Sequence, residues 1–221
     1  MNVRDALKRR HAARAFLDRP VPRAAIERLL EAARRAPSGA NTQPWEVFVV
    51  CGDTRRRLLG ALEQAYRSGQ PPRMDYHYYP ERWREPFRAR QVECGRLLYE
   101  TLGIARGELD RRREQWIANY RAFGAPAVLF FAMPKDLEAG SYMDMGMFIQ
   151  SVMLAACEEG LASCPQAALG QYPDIVREHL GIAAERFILC GLALGYEDTA
   201  ARVNGYRTTR VPVSGFAKFF E

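Results

Sequence analysis

Two arginines near the N-terminus lie where they could bind a buried anion. Residues 2–7 carry an amphipathic helical pattern, and its apolar stripe is expected to face the protein interior. The apolar positions on this stripe are Val3, Ala6 and Leu7. The same stripe continues to Arg10 and His11, and Arg14 lies one helical turn beyond Arg10. Because an unpaired buried charge is unfavourable, an inward arginine indicates an anion, a structural ion pair or a side chain that reaches back to solvent.

A second polar segment lies at residues 36–45, with the sequence APSGANTQPW. It gathers small hydroxyl, amide and free backbone N–H groups between a predicted helix and a predicted buried strand. Such a loop can present several neutral donors to an oxyanion or to the edge of a heterocycle. An ordinary helix-to-strand turn would explain its glycine and prolines, but not Asn41 and Gln43.

Residues 162–169, ASCPQAAL, form a third candidate segment. Cys164 and Pro165 end one element, and the small side chains of Ala167 and Ala168 would let a ligand approach the backbone closely. A plain edge strand is the alternative interpretation. Cys164 could be a redox thiol or a small buried residue, since no pattern around it distinguishes the two.

The fourth segment is the irregular C-terminal tail, which contains NGYRTTRVPV. If the tail is docked, Arg207 and Arg210 could together bind a phosphate. If the two arginines are exposed to solvent, they indicate no particular ligand. The tail also contains Phe216, Phe219 and Phe220, which are unfavourable in water. The tail is therefore expected to dock on another surface, and a partner subunit is the natural candidate.

Predicted helices and strands alternate along the chain, and they would hold these four segments in place. Helices are predicted at 3–10, from Pro22 to the loop at 36, at 53–69, as two charged helices within 85–123, at 141–161 and at 174–181. Buried strands are predicted at 45–51, 125–133 and 185–197, with a shorter extended segment at 162–169. Asp53 or Thr54 is the expected cap of the third helix. The helix at 141–161 is apolar on more than one side and is expected to be central.

Composition excludes several classes of protein. The 221 residues are 48% apolar, which suffices for a substantial core, but no apolar run is long enough to predict a transmembrane helix. The N-terminus lacks the apolar region of a secretory signal, so a cytoplasmic location is expected. Five scattered cysteines without a C-x-x-C and three histidines without a metal motif predict reduced thiols and no metal site. The charge of +6 is spread over many helices, so neither a nucleic-acid nor a membrane partner is expected.

In this order and at these separations, the four segments resemble the FMN-dependent nitroreductase family of flavin oxidoreductases. The matching stretches are RRHAARAF, APSGANTQPW, MDMGMFIQSVMLAACEEGLASCPQ and RTTRVPV. The resemblance implies one α+β domain over residues 1–221, a three-layer sandwich in which a central mixed or antiparallel sheet is flanked by helices. It also implies a homodimer with FMN at the interface and a C-terminal tail exchanged with the partner subunit. Residues 68–123 would form a variable helical excursion that covers the pocket.

The resemblance also assigns residues to the cofactor. The matching positions are Arg10, His11, Ala12, Arg14, Pro37, Ser38, Gly39, Asn41, Gln43, Pro165, Gln166, Ala167, Ala168 and Arg210. The first motif would wrap the phosphate and ribityl chain, the loop would reach the flavin across the dimer interface, and the third segment would flank the isoalloxazine near N5. Ala12 stands where the family often has serine, which leaves only a backbone contact. Thr208 stands where a lysine is common, a contact that Arg207 could replace.

The implied activity is reduction of nitroaromatic compounds with NADH or NADPH by a ping-pong hydride transfer. No side chain is assigned a catalytic role, because the flavin N5 carries the chemistry. Tyr76, Tyr78, Tyr79 and Trp83 suit a small aromatic acceptor, as in the nitrobenzoate-reductase-like branch of the family, or could pack between subunits. Three alternatives share the fold. Two are enzymes: a quinone or enone reductase or dehydrogenase, and a flavin-consuming enzyme similar to dimethylbenzimidazole synthase. The third is a non-enzymatic flavin-storage protein or nucleic-acid binder.

Overall fold

Four strands form one antiparallel sheet in the computed structural model, which describes residues 1–221. They are β1 (Glu46–Cys51), β2 (Ala127–Pro134), β3 (Ala162–Gln166) and β4 (Arg186–Gly195). Their order across the sheet is β1–β2–β4–β3, and every neighbouring pair is antiparallel. Of the two expected sheet types, the antiparallel one is therefore confirmed.

Seven α-helices accompany the sheet. They are α1 (Val3–Arg9), α2 (Arg23–Ala33), α3 (Gly52–Arg67), α4 (Phe87–Thr101), α5 (Leu109–Ile117), α6 (Ala139–Glu158) and α7 (Pro173–Leu180). Each predicted helix and strand is present, with its ends shifted by a few residues. None of the helices combines the length and the apolarity that crossing a membrane requires.

The strand β2 is buried on both faces and separates two apolar cores. Val128 and Phe130 face a core shared with α3 and α7, whereas Leu129 and Phe131 face a core shared with α2 and α6. Alternate residues of a strand point to opposite faces of the sheet, so one continuous apolar run serves both helix layers. The predicted three-layer α+β sandwich is thereby confirmed.

The apolar stripe of α1 does not face the interior, contrary to expectation. Ala6 is buried, but Val3 and Leu7 have 69% and 50% of their surface exposed. The helix rests on α6, and only the small Ala6 side chain is covered within the chain. The periodicity identified the helix correctly, but its apolar face is turned outwards.

The expected capping of α3 by Asp53 or Thr54 is wrong. The helix begins at Gly52, directly after β1, and no side chain forms a cap hydrogen bond. Gly52 has a φ of 53°, in the left-handed region that glycine adopts without strain. The helix therefore begins before Asp53 and Thr54, so neither residue can occupy the cap position.

An ion-pair network on α3 ties the excursion to the rest of the fold. Glu63 accepts hydrogen bonds from Arg121 at 2.6 and 2.7 Å and from Arg67 at 2.7 Å. Arg67 also donates to Glu114 of α5 at 2.9 and 3.0 Å. The hydrogen bonds from Arg121 and Arg67 lower the pKa of Glu63 from 4.5 to about 2.

This lowered pKa of Glu63 makes the network sensitive to acid. Its stabilisation is fully present above about pH 4.5 and is lost as the pH falls through about 2. Glu63→Gln should therefore lower the free energy of unfolding by about 1 kcal/mol at neutral pH, a value reduced for the solvent around the network. Urea unfolding should show this difference shrinking as the pH is lowered. Glu31→Gln removes an exposed partner of Arg34 and is the matched control; an equal loss there would contradict the assignment.

Candidate functional site

The N-terminal motif lies against β3 at the edge of the sheet. The Ala13 N–H donates to the carbonyl of Ser163 at 3.1 Å, next to an isolated parallel bridge between Ala12 and Ser163. Further along, the Leu17 N–H donates to the carbonyl of Tyr196 at 2.8 Å. Backbone hydrogen bonds therefore fix the segment that follows α1 at both of its ends.

Two residues from the start of the C-terminal tail hold Arg14. The Arg14 N–H donates to Asn204 Oδ1 at 2.7 Å, and its guanidinium donates to the Tyr206 hydroxyl at 2.9 Å and to the carbonyl of Ala12 at 3.3 Å. Asn204 is buried and donates to two further backbone carbonyls at 2.9 Å. All the partners of the Arg14 guanidinium are neutral, so its positive charge has no counter-charge.

Arg10 carries the second charge of the motif. It is half-buried, and its guanidinium takes part in no hydrogen bond or ion pair within the chain. Burial raises the pKa of the Cys164 thiol to about 11, while the nearby charges of Arg14 and Arg10 act in the opposite direction. The thiol is therefore protonated at neutral pH, which favours a small buried residue over a redox thiol at this position. Both charges act on Cys164 of β3, and neither arginine is paired with a carboxylate.

His11 is directed towards Glu197, just after β4. Its Nε2 lies 2.9 Å from Glu197 Oε1, and its Nδ1 lies 3.0 Å from the carbonyl oxygen of Arg9. Both ring nitrogens therefore lie within hydrogen-bond distance of an oxygen of the chain. The His11 side chain therefore anchors the motif, and the chain itself occupies both of its nitrogens.

The loop at residues 37–43 has a strained backbone. Ala40, Asn41 and Gln43 have φ angles of 48°, 58° and 50°, in the left-handed region that non-glycine residues avoid. Asp144 of α6 holds the loop, because its two carboxylate oxygens accept from the Gly39 N–H at 3.3 and 3.2 Å. Strain of this kind persists only where the surroundings enforce it, and it is typical of functional sites.

A cavity of about 310 Å³ lies between α6, the end of β3 and the aromatic loop, which we define as residues 68–86. Its lining includes the three tyrosines Tyr76, Tyr78 and Tyr142 and the segment Pro165, Gln166 and Ala167. Three of the four predicted residues of the third segment thus line one cavity. The fourth, Ala168, is buried beside it in the core.

Gln166 lines this cavity and has one side-chain polar atom without a partner. Its Nε2 donates to the carbonyl oxygen of Asn119 at 2.9 Å and to Asn119 Oδ1 at 3.3 Å. Its Oε1 is buried and has no hydrogen-bond partner. Because an unsatisfied buried acceptor is unfavourable, the cavity favours a ligand that donates a hydrogen bond to Gln166.

Comparison with known proteins identifies the family. The family described as "Nitroreductase family" matches residues 7–196. This chain belongs to the nitroreductase family. Chloronitrobenzene nitroreductase of Comamonas testosteroni is 34% identical over 219 residues, covering 98% of this chain and 96% of that protein. Nitroreductase NfnB of Mycolicibacterium smegmatis is 39% identical over 213 residues, covering 96% of this chain and 90% of that protein.

A solved nitroreductase has nearly the same backbone. The crystal structure of the FMN and NADPH-dependent nitroreductase NfnB from Sphigopyxis sp. strain HMH matches with a TM-score of 0.97 and 39% identity, covering 100% of both chains. NfnB from Mycobacterium smegmatis, crystallised in complex with NADPH, matches with a TM-score of 0.93 and 38% identity over 100% of both chains. The fold and the family predicted from the four motifs are confirmed.

Within this nitroreductase fold, the predicted site residues fall into three groups. The N-terminal motif and the third segment come together along β3. The loop at residues 37–43 is attached to α6 but does not line the cavity of its own chain. The Arg210 guanidinium forms hydrogen bonds only with Thr208 and Thr209 of its own segment. Arg207 donates to the carbonyl of Asn204 at 2.7 Å, and the side chain of Asn204 accepts from the Arg14 N–H.

Several residues that build the site were not predicted from the sequence. They are Asp144, Glu197, Asn204, Tyr206 and Tyr142. One signal for Asp144 was available, because it is the only acidic residue between Tyr142 and Cys157 in the most apolar helix. A charge in such a helix needs a partner, and that partner is a backbone N–H more than a hundred residues away in the sequence.

Proposed function

We propose that this nitroreductase uses FMN to reduce nitroaromatic compounds with NADPH or NADH. The observation that carries the proposal is the pair of half-buried arginines, Arg10 and Arg14, that lie beside β3 without a carboxylate partner. Two neighbouring guanidinium groups without a carboxylate partner are suited to a phosphate dianion. One solved relative is named an FMN and NADPH-dependent nitroreductase, and another an FMN-dependent nitroreductase in complex with NADPH. Together with the chloronitrobenzene nitroreductase, they support the same cofactor and substrate class.

The residues present fit a bound FMN. Arg10 and Arg14 would hold the phosphate, Ala12 would contribute its backbone, and the segment 165–168 would lie along the ring system. The unpaired Oε1 of Gln166 offers an acceptor for an N–H donor in the cavity. Once bound, FMN supplies the two-electron redox chemistry, for which none of the standard side chains is suited.

The chain's own side chains would bind and orient the acceptor. Tyr76, Tyr78 and Tyr142 give the cavity aromatic walls, and such walls favour flat aromatic molecules in offset or edge contacts. Met145 and Ile149 of α6 add apolar surface, which excludes water from the same space. The excursion at 68–123 contributes the aromatic loop, and we propose that the whole excursion covers the pocket. No side chain in the cavity needs to act as a nucleophile.

We further propose that the enzyme works as a cytoplasmic homodimer with two interfacial sites. The tail leaves Phe216, Phe219 and Phe220 with 72%, 80% and 91% of their surface exposed, which is unfavourable unless another subunit covers them. Val3 and Leu7 of α1 present a second uncovered apolar patch. In such a dimer the tail would be exchanged between subunits, and the loop at 37–43 would serve the cavity of the partner subunit.

The visible absorption spectrum of the purified protein tests the proposal directly. We expect a flavin spectrum that is bleached by NADPH or NADH without oxygen and restored by a nitroaromatic compound. Comparing turnover of nitrobenzene with that of a quinone separates a nitroreductase from a quinone reductase. Light scattering after gel filtration should give twice the mass of one chain. A colourless protein that does not take up added FMN would overturn the assignment.

A further inference from the structure

The strand β4 contains an irregularity at the floor of the cavity. Its pairing with β2 shifts by one residue: Phe131 lies opposite Cys190, while Ala132 lies opposite Ile188. Leu189 therefore has no opposite residue on β2 and forms a β-bulge. Bulges interrupt the ladder and re-aim side chains, and they are common next to active sites. Here Leu189 and Cys190 both line the cavity.

The bulge also lies beyond the end of β3, where β4 has a free edge. The last residue of β3 to pair with β4 is Gln166, opposite Gly191. The backbone groups of Ile188 and Leu189 on this side therefore need partners from outside the sheet. Two neighbouring residues of the aromatic loop supply them.

Asp75 and Tyr76 bind the bulge through one backbone group each. Asp75 Oδ2 accepts from the Ile188 N–H at 2.8 Å, and the Tyr76 hydroxyl donates to the carbonyl of Leu189 at 2.7 Å. The Tyr76 ring then contacts Tyr142 at 5.5 Å and Tyr78 at 6.2 Å between ring centroids. Tyr76 thus connects Tyr78 to β4, whereas Tyr142 also contacts Phe187 of β4 directly, at 6.3 Å between ring centroids.

A buried ion pair fixes the Asp75 carboxylate. Asp75 pairs with Arg177 of α7, and both side chains are only 10% exposed. Arg177 also donates to the carbonyl of Arg186 at 2.7 Å, at the start of β4. Arg177 Nη1 also lies 2.9 Å from Asp174 Oδ1, but the Asp174 side chain is 87% exposed. The arginine therefore ties the aromatic loop, α7 and β4 together at one point.

We propose that Asp75 is a positioning residue that holds Tyr76 and Tyr78 in place as the aromatic wall of the acceptor pocket. The inference rests on the proposed function and adds to it a determinant of acceptor selectivity. The wall selects planar aromatic acceptors because it presents tyrosine rings at a fixed distance from the bulge. Reduction of compact acceptors, which do not stack on the tyrosine rings, does not depend on this wall.

Asp75→Asn tests the proposal, with Asp174→Asn as the matched control. Both variants remove one carboxylate from Arg177, but only Asp75 contacts the bulge. With NADPH as donor, Asp75→Asn should raise the KM for nitrobenzene about tenfold and change its kcat less than about twofold. Its kcat/KM for ferricyanide, a compact non-aromatic acceptor, should not change. Asp174→Asn should resemble the wild type with both acceptors.

Tyr76→Phe gives an independent test, because it keeps the ring and removes only the hydroxyl. It should also raise the KM for nitrobenzene, and by a larger factor than it changes kcat. The proposal can therefore be tested even if Asp75→Asn fails to fold. Equal losses with both acceptors, or no change in either variant, would overturn the positioning role while leaving the proposed function intact. A wild-type protein that holds no FMN would overturn the proposed function and this inference with it.

Discussion

Arg14→Glu should yield a folded protein that no longer retains FMN. The substitution replaces a cation next to β3 with an anion, so attraction for a phosphate becomes repulsion. Loss of a charge-assisted hydrogen bond alone is worth about 1.5–3 kcal/mol, and the reversed charge adds to it. We therefore expect the Kd for FMN to rise by at least about 100-fold. Quenching of FMN fluorescence on titration with the apoprotein measures this directly.

The fold should tolerate the Arg14 substitution. The backbone N–H of residue 14 keeps its hydrogen bond to Asn204, which does not depend on the side chain. The Tyr206 hydroxyl accepts from Arg14 in the native protein, and it can donate to a carboxylate instead. Circular dichroism and the unfolding midpoint should therefore stay close to those of the wild type.

Arg19→Glu is the matched control for Arg14→Glu. It makes the same change in net charge five residues further along, at an exposed arginine that stacks on Tyr196 at 4.0 Å. This variant should bind FMN as the wild type does. If Arg14→Glu kept a full complement of flavin, or if both variants lost it equally, Arg14 would not be a phosphate ligand.

Regular periodicity explains how much of the fold was predictable. The helix at 141–161 and the strand at 125–133 carry long apolar patterns, and both elements are present with small shifts at their ends. For α1 the pattern predicted the helix but not its environment, because Val3 and Leu7 are left uncovered by their own chain. Periodicity shows which residues share a face, but it does not show whether that face meets the same chain or another one.

The bulge at Leu189 lies outside what a sequence pattern can reveal. Both faces of β4 are buried, so its sequence is a continuous apolar run with no alternation that a one-residue shift would disturb. The partners of the bulge, Asp75 and Tyr76, lie more than a hundred residues earlier in a loop without periodicity. Only the folded chain brings these groups together.

The same limit applies to the N-terminal motif. The sequence predicted two inward arginines, and the structure places them near β3 without carboxylate partners. It did not predict that Asn204 and Tyr206 would hold Arg14, because nothing in NGYR indicates a contact with residues 190 positions away. Motifs therefore located the charges, whereas the residues that orient them became visible only in three dimensions.

Asp144→Ala should weaken FMN binding without unfolding the protein. Asp144 is buried, and its only hydrogen-bond partner is the Gly39 N–H, so it joins the strained loop to α6. Three non-glycine residues of this loop have positive φ, a conformation that costs about 1–2 kcal/mol per residue. Without the carboxylate the loop is expected to relax, and the loss of about 2 kcal/mol should raise the Kd for FMN roughly 30-fold.

A graded series separates anchoring of the loop from charge near the site. Asp144→Asn keeps an oxygen that can accept from Gly39, but it loses the charge that roughly doubles the strength of such a bond. Its effect on the Kd should therefore lie between those of the wild type and Asp144→Ala. The variant Ala40→Gly removes the strain at one positive φ, and combining it with Asp144→Ala should recover part of the lost affinity because the loop then needs less restraint. If Asp144→Ala bound FMN like the wild type, the strained loop would be held by its own turns, and its conformation would not depend on α6.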